Sequence, residues 1–179
     1  MNRHSMVSRL VAVPVALALS SIAAFAQSPV GSAAVTGPVR VDGQNVTGTV
    51  QVNNAARLST GDEASVSMSL VRGGEVKLAG QADIVATTDA IGPRIQVVCG
   101  EVNLLNTGPA TIVSANGARV FARAGKVVVT QGTKTTVVKK GKTKDFDGGL
   151  VVAVSEPGSD VVVKSNVACD CNCGNTGRP

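Results

Sequence analysis

Tryptophan and tyrosine are absent from this chain, phenylalanine occurs three times and histidine once. Each shortage excludes something. The single imidazole, His4, lies in an N-terminal segment expected to be removed, so the mature chain lacks the commonest general base and the commonest metal ligand. Ser-His-Asp and Cys-His catalysis are excluded on this chain alone. Without Trp or Tyr there is no run of stacking platforms for single-stranded nucleic acid, and no aromatic platform for a sugar. Carboxylate chemistry has two candidate pairs, Asp62-Glu63 and Asp145/Asp147. Both sit in Gly-rich, turn-like sequence, where acidic side chains face water. The composition points to a non-enzymatic protein without a cofactor.

The N-terminus reads as a targeting segment. Arg3 and Arg9 precede an uncharged, mostly apolar stretch from Leu10, and Ala24-Phe25-Ala26 has the small-x-small form a signal peptidase reads. Residues 1–26 are thus predicted to be a helical signal peptide, cut between Ala26 and Gln27. The apolar stretch is shorter than the roughly 20 residues of a spanning helix, and Pro14 interrupts it. No membrane span is expected after cleavage, and the mature chain is expected in the periplasm or outside the cell. Removing Arg3 and Arg9 lowers the formal charge from +5 to +3.

The remaining excess is spread thinly except for Lys134, Lys139, Lys140, Lys142 and Lys144, followed by Asp145 and Asp147. This run reads first as a solvated strand-turn-strand edge, because lysine there discourages pairing between sheets. Binding to an anionic surface is the competing reading.

What the chain does have is valine and glycine in a repeating order. Five segments share a Gly-x-Val-x-apolar core: Gly48–Val52, Gly74–Leu78, Gly100–Leu104, Gly125–Val129 and Gly149–Ala153. Their glycines are 26, 26, 25 and 24 residues apart. Glycine permits the positive φ of a tight turn, and alternating apolar residues then share one face of a strand. A second apolar run follows at Ile84-Val85, Ile112-Val113, Val137-Val138 and Val161–Val163. A third precedes the next glycine, most clearly in "SVSMSL", where Val66, Met68 and Leu70 alternate with serines; Ile95-Val97 and Val120 are weaker counterparts. The expected fold is all-β, a solenoid-like stack of about five such units. A β-sandwich is the alternative. Its core would be Val, Ile, Leu and Ala, with Phe121 and Phe146 the aromatics of the mature chain. Residues 27–38 read as a flexible leader, 39–164 as the β domain and 165–179 as a cysteine-rich tail.

"TGDEASVSMSLVRGGEVKLAGQADI" resembles the opening of a FecR-type domain, with Thr60, Gly61, Asp62, Ser65, Met68, Leu70, Gly74, Val76 and Leu78 at matching positions. "GKVVVTQGTKTTVVKKGKTKDF" is similar to that family's closing segment, so the resemblance covers roughly residues 39–147. The best-known members are inner-membrane regulators that signal to a cytoplasmic sigma factor. Here only nine residues precede the apolar stretch, so the resemblance implies a stand-alone exported domain that binds or scaffolds, with no catalytic residues to carry over. Its partner would be another envelope protein or polymer, and nucleic acid is not expected. A bacterial chain also makes the sequon Asn45-Val46-Thr47 incidental.

Four cysteines remain: Cys99, Cys169, Cys171 and Cys173. On an extended strand the last three would share a face about 6.6 Å apart, at the far end of disulfide reach without a bend. An even count in an exported chain favours oxidation, with three pairings open. Cys99 could receive the tail from any of the three. The alternatives are linkage between chains and a thiolate site for Cu(I) or Zn built from the same four residues. A thiol- or metal-binding tail is accordingly the second functional reading, and a sigma-regulatory role the third. Protein recovered after export is expected to begin at Gln27 and to weigh four hydrogens less than its fully reduced form, as intact mass with and without alkylation would show. Alkylatable thiols carrying a copper- or zinc-sized increment would reverse the order of these readings.

Overall fold

A computed structural model describes residues 28–106 and 108–170. These residues form an all-β fold of fifteen strands in one continuous sheet. In chain order they are β1 (Pro29–Val41), β2 (Gln44–Asn53), β3 (Ala56–Thr60), β4 (Ser65–Leu70), β5 (Glu75–Ala79), β6 (Ala82–Thr88), β7 (Pro93–Cys99) and β8 (Glu101–Leu105). They continue with β9 (Ala110–Ser114), β10 (Ala118–Ala124), β11 (Lys126–Gln131), β12 (Lys134–Lys139), β13 (Lys142–Phe146), β14 (Leu150–Val154) and β15 (Asp160–Ser165). The predicted signal segment and its cleavage point, Ala26 and Gln27, lie outside the described residues.

The repeat maps onto this order. The Gly-x-Val cores fall in β2, β5, β8, β11 and β14, every third strand, and the second and third apolar runs supply the strands between them except β3 and β13. Along the sheet the order is β12-β11-β14-β9-β7-β6-β3-β1-β4-β5-β8-β15-β10-β13, with β2 flanking β1. Among the described residues only β7 and β9 pair in parallel.

The sheet bends back on itself at β1. Its first half, Gly31–Thr36, pairs with β4, and its second, Val39–Val41, pairs with β3. The strands beyond β3 and those beyond β4 are therefore two wings, and their inward side chains meet in one core cluster. Leu58, Ile84, Ile95 and Ile112 come from one wing; Met68, Leu78 and Leu104 come from the other, all essentially inaccessible to water. Burial of such side chains, at roughly 1.5–3 kcal/mol each, drives the folding.

Glycines make the bends. At Gly37 φ is +78°, and a Cβ there would lie 2.8 Å from the Glu63 carbonyl oxygen. The chain passes from the β3 wing to the β4 wing again between β7 and β8, at Gly100, where φ is +86°. A Cβ at that position would come within 2.4 Å of the Gln81 carbonyl oxygen.

Two expectations change. Residues 27–38 are not a leader throughout, because Pro29–Val41 is β1. Val30, Ala33 and Val35 are buried on the core, and Gly31 allows the strand to approach Ser69 so closely that a Cβ would stand 2.2 Å from its carbonyl oxygen. The small residues that suggested a linker are those a crowded strand needs. Phe146 is buried as expected, but Phe121 lies on the outer face, since Val120 and Ala122 on either side point inward. Gly100→Val is expected to lower unfolding stability by about 3 kcal/mol, from positive-φ strain plus overpacking. Gly132→Asn should stay within about 0.5 kcal/mol, because at φ +56° nothing lies within 4 Å of a new Cβ and asparagine tolerates that region. Urea midpoints of the two variants would check both values.

Candidate functional site

The lysine run is where the sheet stops. β12 and β13 stand at opposite ends of the sheet order, yet they are consecutive in sequence, joined by Lys140 and Gly141. Gly141 has φ +73°, and its N–H donates to the Ala122 carbonyl of β10 at 2.7 Å. The two ends are thus drawn together at this turn. No ladder joins them among the described residues: β12 pairs with β11, and β13 pairs with β10. The sheet is nearly closed, with a seam between these two strands; β2, paired with β1 alone among the described residues, is a further edge.

Register decides which lysines face that seam. Val138 and Thr136 lie opposite the buried Val127 and Val129, so Lys134, Thr136 and Val138 are on the core side of β12. On β13, Lys142, Lys144 and Phe146 lie opposite the buried Ala122, Val120 and Ala118. Three lysines therefore occupy core-side positions of the two terminal strands, where no further strand among the described residues covers them. Inward charge of this kind blocks edge-to-edge pairing, as the strand-turn-strand reading of the run implied.

The electrostatics are uneven. Arg119 Nε donates to Asp145 Oδ1 at 2.7 Å, and Lys126 Nζ lies 2.8 Å from Glu156 Oε1. Each carboxylate raises the pKa of its cation, first through the hydrogen bond and then through charge. Lys134, Lys139, Lys140, Lys142 and Lys144 have no ion pair among the described residues. Lys144 Nζ instead sits 5.6 Å from the centre of the Phe146 ring, within cation–π range. A cleft of about 190 Å³ opens between the strands, lined by Gln131, Lys134, Thr136, Lys144, Asp145, Phe146 and Asp147. A neighbouring groove of about 200 Å³ shares Lys144 and adds Val137, Lys139 and Lys142. The Gln131 side-chain amide donates to the Asp147 carbonyl and fixes the rim. Lys134 and Lys144, ten residues apart in sequence, line one cleft only because both strands carry alternate residues inward.

The other sequence candidates lie elsewhere. Cys99 ends β7 and is bonded to Cys169, with Cα atoms 5.2 Å apart. The chain after β15 is also tied by backbone: Ser165 N–H donates to the Gly100 carbonyl at 2.9 Å. Cys171 and Cys173 lie outside the described residues. With Cys99 and Cys169 joined, neither sulfur is a free thiolate. Asp62 and Glu63 are exposed in the turn between β3 and β4. Asp145 is held by Arg119, and it lines the same cleft as Asp147. Asn45 is exposed on β2, where its Oδ1 accepts from Arg40 Nε at 3.1 Å. The buried Asp83 is bound by Arg57 and accepts from the Ser59 hydroxyl at 3.3 Å, a bond between neighbouring strands that sequence inspection did not single out. A further groove, about 480 Å³ between β1, β2 and β4, is lined by residues such as Thr49, Val50 and Val71 and by no charged side chain.

No family model, curated protein or solved structure matches this chain. The Cys99–Cys169 bond spans 70 residues. Its removal in a Cys99→Ser, Cys169→Ser double variant is expected to lower stability by about 4 kcal/mol in the chain-entropy account. Denaturant unfolding with m-values compared would check this, and a change within about 1 kcal/mol would mean that the backbone bonds of the tail already provide the constraint.

Proposed function

We propose that this protein is a non-enzymatic, exported FecR-like β domain that binds or scaffolds another component of the cell envelope. The observation that carries this reading is the seam between β12 and β13. Its five lysines lack carboxylate partners among the described residues, while the neighbouring Arg119 and Lys126 are paired. Uncompensated like charge on one edge raises self-repulsion and gains its use when an anionic group approaches. The Cys99–Cys169 bond supports an oxidising compartment, and with it the predicted export.

On architecture, we favour the sandwich-like alternative to a solenoid stack. Equivalent strands of successive units pair antiparallel, β5 with β8 and β11 with β14. Coils of a parallel β-helix would stack such strands in parallel. The thiol- or metal-binding reading keeps less support, because two of its four sulfurs are joined to each other. A sigma-regulatory role rests on the family resemblance alone.

The test is co-sedimentation of mature protein with washed bacterial envelopes. The protein is expected to sediment at low salt and to be released between about 50 and 200 mM salt, where screening shortens the reach of exposed charge. Replacing all five lysines by glutamine should reduce retention roughly tenfold, an equilibrium change of about 1.4 kcal/mol. Equal retention of the variant would move the binding surface away from the seam, and absence of retention for the natural sequence would overturn the envelope reading.

A further inference from the structure

The seam offers two kinds of unused binding capacity at once. Among the described residues, β12 and β13 each have one edge paired and one edge without a ladder, which leaves the backbone N–H and C=O groups of those edges for another strand. On the core side of those edges stand Lys134, Lys142 and Lys144, and Thr136 shares that face of β12. On the outer side stand Thr135, Val137 and Lys139 of β12 and Thr143 and Asp145 of β13; Val137 is 50% exposed and Asp145 is paired with Arg119. Self-association through these edges is opposed by the lysines, since a second copy would bring the same charges against them.

We propose that the seam is a docking slot for an extended acidic peptide segment of a partner protein, which binds by strand addition with a carboxylate at every second position. The inference rests on the binding-module reading above and specifies its ligand. A strand added to either open edge places alternate side chains on the two faces of the sheet. Those on the core side meet Lys134 at the β12 edge, or Lys142 and Lys144 at the β13 edge, and aspartate or glutamate is the complement. Those on the outer side meet Thr135, Val137 and Thr143, so threonine or valine fits there, as in cross-strand β-branched pairs. Main-chain hydrogen bonds then supply affinity, and the alternating pockets supply sequence preference. An anionic polysaccharide or polyphosphate could satisfy the lysines but has no peptide backbone to continue the ladder. The open edges therefore favour peptide over polymer.

The test uses three probes on the mature protein: a peptide of about eight residues alternating Glu and Thr, its isomer with the glutamates grouped at one end, and polyphosphate. Affinity is measured by calorimetry, and backbone contact by amide hydrogen exchange. The alternating peptide is expected to bind at least roughly tenfold more tightly than the grouped isomer. It should slow exchange at amides of β12 and β13 and leave β6 and β7 unchanged. The Lys134→Gln, Lys142→Gln, Lys144→Gln variant should lose this binding while keeping its strand signal in circular dichroism; if it misfolds, Lys142→Gln alone must weaken binding at least threefold. Equal affinity of the two isomers, or polyphosphate binding without slowed exchange, would overturn strand addition while leaving an anion-binding module in place. Protection that appears without peptide and grows with protein concentration would show a second copy in the seam and overturn the proposal. No binding of any probe, together with no envelope retention, would remove the binding-module reading as well.

Discussion

Nearly every strand in this chain has one face of valine, isoleucine, leucine or alanine that must leave water, and a flat sheet of fifteen such strands could not hide it. The solution is curvature: the sheet is turned back on itself until its inward face is lined only by its own side chains. Curvature needs backbone that can turn where a side chain would collide. Gly37 and Gly100 stand at such points, each with positive φ and a carbonyl within 3 Å of where a Cβ would be. Burial drives the fold, and these glycines decide whether burial can be reached.

The same constraint produces the seam. A sheet that closes fully removes its edges; one that stops a step short leaves two. Here the ends, β12 and β13, are held together by the turn at Lys140-Gly141 and carry lysine on the side where the core would otherwise continue. The core therefore ends at Val138 and Phe146, and charge begins at Lys144 on β13 and, past Thr136, at Lys134 on β12. Phe146 belongs to both regions, buried against the core while its ring receives Lys144. The core and the lysine-lined cleft thus meet at one strand.

The disulfide acts at a distance from that site. Cys99 and Gly100 together form the crossing from β7 to β8, and Cys169 and Ser165 hold the outgoing chain against it through a covalent bond and a backbone hydrogen bond. This fastens one of the sheet's crossings, so the tail cysteine nearest the domain serves the architecture.

The local pattern was legible in the sequence. "SVSMSL" became β4 with Val66, Met68 and Leu70 inward, and Ile95-Val97 and Val120 became β7 and β10. Strand identity and inward face follow from alternation, which is a property of neighbouring residues alone. The Cys99–Cys169 pairing, one of three permitted, needed the fold, because it depends on where β7 and β15 end in space. The small residues of β1 looked like a linker, since crowding against Ser69 has no local signature. Lys134 and Lys144 were visible as a basic run, but their shared cleft depends on β12 and β13 being the two ends of one sheet. The sequence by itself determined which residues alternate and where the chain can turn. Which strands became neighbours, and which edges stayed open, was decided by the tertiary structure, because pairing links residues far apart in the chain through burial that no short window contains.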